Sequence, residues 1–421
     1  MTVDVDLLLH SARQLCIVPA QDGGPQRGRA LGTLGLIEDG ALAVHEGRIL
    51  EVGVSATLRA KYRARQAIDA AGCAVLPGFV DPHTHLVWAG DRAAEFEMRI
   101  AGATYMDIMR AGGGINSTVR AVRAASVDQL VAETLPRLQR MLRAGTTTVE
   151  IKTGYGLDSA SELKSLDAIF RLQALQPVGI AATFLGAHAV PPEFAGRTDA
   201  FVEMLVDTMI PAAAAYAREK GQPLFNDVFC EAGVFDVPQS RRILEAGRAH
   251  GLTPKIHADE FAGLGGTRLA VELGAVSADH LVKTLPDDIA ALGQGQTVAV
   301  ALPATPFGLG HHEFTPARAI IAAGGALALA TDCNPGTAWC ESMQFVLALA
   351  CRYLRLTPAE ALAAATLNAA FAIGRGAYIG SLEAGKQADL LVLDAPDYRH
   401  LAYRFGGNLV KHVVKNGQQI V

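Results

Sequence analysis

The sequence predicts an α/β fold: a closed, TIM-like (β/α)8 barrel, with a small β-sandwich domain formed by both ends of the chain. Two observations carry this. From Gly145 onward an amphipathic stretch, a glycine and a short apolar run that ends in polar residues recur. The two ends read instead as short alternating strands with glycine turns, the pattern of a sheet with one buried face. The expected division is residues 1–76 with 378–421 for the sandwich and residues 77–377 for the barrel.

Taken in order, Val5 to Val18 and Ala41 to Val52 read as strands of the terminal sheet, with Glu46-Gly47-Arg48 as a turn. Gly78 to His85 reads as the first barrel strand. The repeated unit then follows, with helix, closing glycine and strand at Gly145 before Thr146 to Lys152, and at Gly251 before Thr253 to His257. It recurs at Gly274 before Ala275 to His280, at Gly293 before Thr297 to Leu302, and at Gly324-Gly325 before Ala326 to Asp332. Glycine suits the left-handed position that ends a helix. Ile180 to His188 and Phe225 to Glu231 bring the strands to about eight, and their near-continuous apolarity fits strands buried on both faces. A doubly wound open sheet is the rival, ranked second because the polar candidates end many different strands, which a barrel brings to one mouth. Leu390 to Asp394 and Leu409 to Val421, with Asn416-Gly417 as a hairpin turn, complete an antiparallel terminal sheet.

Composition narrows the function. Half of the 421 residues are hydrophobic and only 19% charged, below the usual ~25%. The longest uncharged apolar run, Ala319 to Ala330, is shorter than the ~20 residues a membrane span needs. Asp4 and Asp6 stand where a signal peptide carries basic residues, so a cytoplasmic protein is expected. A net charge of -5 without Lys/Arg runs excludes long-range attraction to nucleic acid or anionic lipid. Six scattered cysteines without C-x-x-C spacing read as reduced thiols.

The strongest local signal is Asp81-Pro82-His83-Thr84-His85. Residues two apart on a strand face one side, about 6.6 Å apart at the backbone, within reach of one metal. Alone, the pair would be ordinary polar histidines at a strand end. Other candidate ligands, His188, His257, His280 and Asp332, end other strands, and the clustering is what argues for a site. An imidazole and carboxylate set suits zinc or iron without discriminating between them. Such a metal acidifies water towards neutrality and makes it a nucleophile. Glu260, three residues after His257, is placed to shuttle protons, and Asp332 and His280 compete with it for the role of base. His311-His312 lie in a Gly/Pro-rich loop suited to solvent exposure or a lid. Gly112-Gly113-Gly114 lacks the Lys-Ser/Thr of a phosphate loop and reads as a flexible loop on the access route.

These residues resemble the amidohydrolase superfamily across essentially the whole chain: Pro77 to His85, His257, His280, Thr331-Asp332, Thr366 to Ala370 and Gly380 to Leu390. Many dinuclear relatives carry a bridging lysine at the end of strand four, where this chain has Phe229-Cys230-Glu231, so a mononuclear site is expected, with bridging by Glu231 or Cys230 as the alternative. Within that superfamily the chain resembles the imidazolonepropionase family. The motifs are Trp88 to Arg92 with Glu95-Phe96, Ala111 to Ile115, Glu150 to Leu157, Phe184 to His188, His257 to Phe261, Ser277 to Leu281 and Thr331 to Thr337. The resemblance implies a metal-dependent hydrolase opening a ring C–N bond, with one divalent or trivalent metal ion per subunit, zinc or iron, on His83, His85, His257 and Asp332. It implies that Arg92, Tyr155, His188, Glu260, Asn334, Gly336 and Thr337 contact a small anionic substrate or its product, and that the protein is a homodimer. Chemistry suits this: Arg92 offers a carboxylate two coplanar donors, and Tyr155 and Tyr105 offer hydroxyls. Without that site Arg92 would read as a surface arginine and the tyrosines as packing. The alternatives are another mononuclear amidohydrolase that deaminates a purine or pyrimidine ring, and a non-catalytic metal-binding barrel.

Overall fold

The computed structural model describes residues 2–103, 107 and 112–421. Eight parallel strands follow one another in sequence order: β6 (Phe79–Asp81), β7 (Thr146–Lys152), β8 (Gly179–Ala187), β9 (Leu224–Cys230), β10 (Thr253–Ala258), β11 (Ser277–His280), β12 (Val298–Ala301) and β13 (Leu327–Leu329). The sheet closes just beyond the first and last strands. The amide of Asp332 donates to the carbonyl of His83 at 3.1 Å, and that of His85 to Cys333 at 3.0 Å. Closure therefore joins the two segments that carry His83, His85 and Asp332. Strand β7 is buried at every position, as a strand between barrel interior and helical ring must be.

Several helices begin on a side-chain cap. Ser126 accepts from the Gln129 amide, Asp158 from Ser161, and Asp236 and Thr357 make complete capping boxes. Gly145, Gly251, Gly274 and Gly324 all adopt the left-handed conformation foreseen for them. Gly293 does not. It lies inside the helix Pro286–Gln294, where a Cβ would stand 2.0 Å from the Ala323 carbonyl oxygen, so close packing selects glycine there. The stretch Thr198–Glu219, with mean hydropathy 1.3, is long and apolar enough to cross a membrane by length and composition. Counting uncharged runs misses it because Asp199, Glu203 and Asp207 interrupt it. Its Phe201, Val202, Leu205, Met209 and Ile210 are buried in the main core.

The chain ends build the second sheet from β1 (Val3–Cys16), β2 (Leu36–His45), β3 (Arg48–Val54), β4 (Tyr62–Asp69), β5 (Ala74–Pro77), β14 (Leu390–Leu393), β15 (Val410–Lys415) and β16 (Gln418–Gln419). Most pairs are antiparallel, but β1 runs parallel to both β4 and β5, so the sheet is mixed rather than antiparallel throughout. The sandwich interior is apolar. Leu7, Leu9, Leu42, Val44, Leu390, Val392 and Val414 share one core, while Ala74, Leu76, Leu391 and Val413, one residue out of phase, pack into the main core with the barrel. Period-two alternation thus gives the sheet two apolar faces with different partners. All six cysteines are free.

Candidate metal and active centre

The strand exits at one end of the barrel bring five imidazoles, those of His83, His85, His188, His257 and His280, and the Asp332 carboxylate to one site. His83 and His85 flank Thr84, whose amide and hydroxyl are held by the Glu150 side chain and carbonyl at 3.2 and 2.6 Å. Asp332 stands at φ +52°, and His280 at φ +79°, in the left-handed region that is uncommon for non-glycine residues. His83 Nε2 and His85 Nε2 lie 3.5 and 3.4 Å from Asp332 Oδ1, and His257 Nε2 lies 3.4 Å from His85 Nε2. A tetrahedron of ligands at ~2.1 Å from a central ion has edges of about 3.4 Å. Among the described residues, none is a hydrogen-bond partner of the buried His83 Nε2 or His280 Nε2, a costly state for a polar atom that a cation relieves. Three sets of ligating atoms lie within 4.8 Å of one another: His83, His257 and His280; His85, His188 and His257; His83, His85 and Asp332. The residues present therefore fit a divalent ion.

Carboxylates behind the histidines set their orientation. His83 Nδ1 is 2.7 Å from Asp279 Oδ2, and His257 Nδ1 is 3.1 Å from Asp227 Oδ2. Donation from Nδ1 leaves Nε2 unprotonated and facing the centre. His188 Nδ1 is 3.0 Å from the Gly154 carbonyl, which fixes its tautomer in the same way. Burial, with His257 adding, holds His188 down at about 3, so its ring is neutral. Burial likewise pushes the Asp332 carboxyl up to about 6, against the hydrogen bond from Thr305 Oγ1 at 2.5 Å.

Glu260 and His280 form a second pair, with His280 Nδ1 3.6 Å from Glu260 Oε1. Burial holds Glu260 well above the carboxylate range, with Asp332 and Glu231 adding to it. A cavity of about 390 Å³ opens beside them, lined by Thr305, Lys283, His311 and His312 among others. Both of those last histidines are exposed. Glu231 is occupied elsewhere: its oxygens accept from the Ala232 and Phe261 amides, each at 2.8 Å. Cys230 is buried in the apolar core.

Arg92 leads into the helix Ala93–Ile100, its Nε 2.8 Å from Glu95 Oε2. Its Nη1 occupies the space a Cβ on Gly336 would need, at 2.3 Å, so a larger residue there would displace the guanidinium. Asn334 Oδ1 accepts from the amides of Gly336 and Thr337, both at 2.8 Å, so these donors are committed within their own loop. The Gly336 carbonyl accepts from Arg99 Nη2 at 3.0 Å. Tyr155 is buried, its ring 5.8 Å from that of His85 and 5.4 Å from that of His188. Tyr105 lies outside the described residues.

Sequence reasoning assigned no role to the charged layer beneath the histidines. Lys152 Nζ contacts Glu150 Oε1 and Asp227 Oδ2, each at 2.7 Å, and all three side chains are fully buried. Lys255 Nζ bonds Ser277 Oγ at 2.6 Å and lies 3.7 Å from Asp279 Oδ2. The available signal was a charged residue in the middle of an otherwise apolar, doubly buried strand, as at Asp227 and Lys255, where it requires a partner.

The chain is similar to known proteins over nearly its whole length. An amidohydrolase family model matches residues 239–420 and a second one residues 66–111. Imidazolonepropionase of Herpetosiphon aurantiacus is 56% identical over 94% of this chain and 93% of its own. That of Chloroflexus aggregans is 53% identical over 99% and 98%. Among solved structures, a triazine hydrolase variant superposes with a TM-score of 0.77 at 18% identity, covering 99% of this chain and 94% of its own. Escherichia coli guanine deaminase does so with 0.73 at 15%, covering 98% of each. At those identities the shared property is the fold.

Proposed function

The chain belongs to the amidohydrolase family, and on that premise we infer that it is an imidazolonepropionase, a metal-dependent hydrolase that opens the ring C–N bond of 4-imidazolone-5-propanoate to N-formimidoyl-L-glutamate in L-histidine degradation. The observation that carries the reading is the convergence of buried His83, His85, His257 and Asp332, with His83 Nε2 and His85 Nε2 3.5 and 3.4 Å from Asp332 Oδ1 and His257 Nε2 3.4 Å from His85 Nε2, in a chain so similar to imidazolonepropionases. Those four residues would hold one metal ion per subunit, zinc or iron. When bound, the metal supplies Lewis acidity that polarises the ring carbonyl and lowers the pKa of water.

The remaining steps fall to this chain's own side chains. Arg92 clamps the propionate carboxylate with two coplanar N–H groups. Tyr155 donates its hydroxyl, and His188 presents an unprotonated Nε2 to the ring because its Nδ1 faces the Gly154 carbonyl. Asn334, Gly336 and Thr337 shape the wall against which Arg92 lies. The His280–Glu260 pair handles protons: one leaves the attacking water, and one reaches the ring nitrogen as its bond to the carbonyl carbon breaks. Water is thereby split between a new carboxylate and the departing amidine nitrogen. The same reading assigns a homodimer, a cytoplasmic location, and the division into residues 1–76 with 378–421 and residues 77–377.

The test is incubation of metal-loaded protein with the imidazolone substrate. Loss of the ring chromophore without ammonia release is expected; ammonia release would replace this reading with an aminohydrolase.

A further inference from the structure

Three carboxylates that serve the candidate metal centre converge on one ammonium. Lys152 Nζ lies 2.7 Å from Asp227 Oδ2, 2.7 Å from Glu150 Oε1 and 3.7 Å from Asp279 Oδ2, with every side chain fully buried. Asp227 orients His257 and Asp279 orients His83. Glu150 accepts from the amide of Thr84, the residue between His83 and His85. A buried carboxylate that met only a histidine N–H would be free to rotate and would carry an uncompensated charge. Here the ammonium donates to Asp227 and Glu150 at once, and the Asp227 Oδ2 that it holds is also the oxygen nearest His257 Nδ1, so lysine and histidine share one carboxylate. Burial alone would depress that ammonium, yet Asp227, Glu150 and Asp279 hold it above the ordinary lysine range, so it stays charged.

We infer that Lys152 is a positioning residue that fixes the Nδ1–H tautomers of His83 and His257, through Asp279 and Asp227, and thereby sets the affinity of the centre for its metal. The inference rests on the reading of those two histidines as ligands. Lys152 Nζ meets Glu150, Asp227 and Asp279 rather than the candidate ligands themselves, so it acts through other side chains. Lys255 also approaches Asp279, but its close partners are Ser277 Oγ and the Ala372 carbonyl, so it braces one carboxylate where Lys152 joins three.

The experiment pairs two measurements on the full chain. Competition with a chelator gives the zinc dissociation constant of wild type and Lys152→Met, which removes the charge while keeping an unbranched chain one atom shorter. Nitrogen-15 spectra of histidine-labelled, metal-free protein give the tautomers. Lys152→Met is expected to fold, to bind zinc ~10–100-fold more weakly, and to show mixed tautomers at His83 and His257. His188, anchored on the Gly154 carbonyl, keeps its tautomer and serves as the internal reference. Wild-type zinc affinity, or unchanged tautomers at both residues, in folded Lys152→Met overturns the inference. If that variant does not fold, metal-free wild type decides: Nδ1–H at both His83 and His257 supports the inference and Nε2–H at either overturns it. Wild-type protein that takes up no metal removes the ligand reading and leaves the tautomers to judge Lys152.

Discussion

The two eight-stranded sheets use the same alternation for opposite ends. In the barrel, residues two apart on the inner face are Glu150 and Lys152, Lys255 and His257, Ser277 and Asp279, all buried. In the terminal sheet the corresponding pairs are Leu7 and Leu9, Leu42 and Val44, Leu390 and Val392. Burying a paired charge contributes little net stability, whereas burying leucine contributes ~1.5–3 kcal/mol per side chain. The terminal sheet and the outer faces of the barrel strands, such as Val149, Ile151 and Ile256 against the helices, therefore hold the molecule together. The barrel interior is released to hold chemistry, at a cost the rest of the fold offsets.

That contrast can be broken or sharpened by substitution. The largest effect is expected for His83→Ala, which should remove bound metal, measured by elemental analysis. Ring opening should fall by more than the ~10–100-fold that follows loss of an outer-shell partner, with little change in thermal midpoint. Full activity in metal-free His83→Ala would end the metal assignment. Leu9→Ala in the terminal sheet should do the reverse. It is expected to cost ~2–5 kcal/mol in denaturant unfolding while leaving the turnover of the folded fraction unchanged; a fall in turnover would show that the two regions are coupled. Asp279→Asn should lower metal affinity or activity ~10–100-fold, less than removal of a ligand; no change in chelator competition would mean that His83 needs no orienting carboxylate. The smallest effect belongs to Asp397, on the terminal-sheet side, where hydrogen bonds from Arg399 hold the carboxyl down to about 2 from 3.8. A depressed carboxylate contributes stability above about pH 3.8 and loses it as the pH falls through about 2. Asp397→Asn should therefore narrow its deficit to wild type over that window, read as unfolding midpoints at pH 5 and pH 2. A constant deficit would mean that the loss is steric.

The barrel was legible because its signals are local. Each strand is a short apolar run of its own, and the polar residue ending it marks the mouth. In the terminal sheet β4 was not foreseen. Its Arg63, Arg65 and Gln66 fall on both faces, so no clean alternation distinguishes it from a loop, and its strand character comes from pairing with β1. The first strand proved shorter than Gly78 to His85, and the histidine pair instead owes its extended form to the backbone of Asp332 and Cys333.

By itself the sequence determined the fold class, the strand-exit segments where polar residues gather, and the donor chemistry of His83, His85, His257 and Asp332. These follow from periodicity and residue type, which are properties of short stretches of chain. Only the tertiary structure decided who serves whom: that Asp279 orients His83 across 196 residues, that Lys152 reaches Asp227 across 75, and that Gly336 makes room for Arg92. A buried charge announces in the sequence that it needs a partner. Which partner it receives is set by barrel closure, because closure alone brings strands distant in sequence within hydrogen-bonding reach.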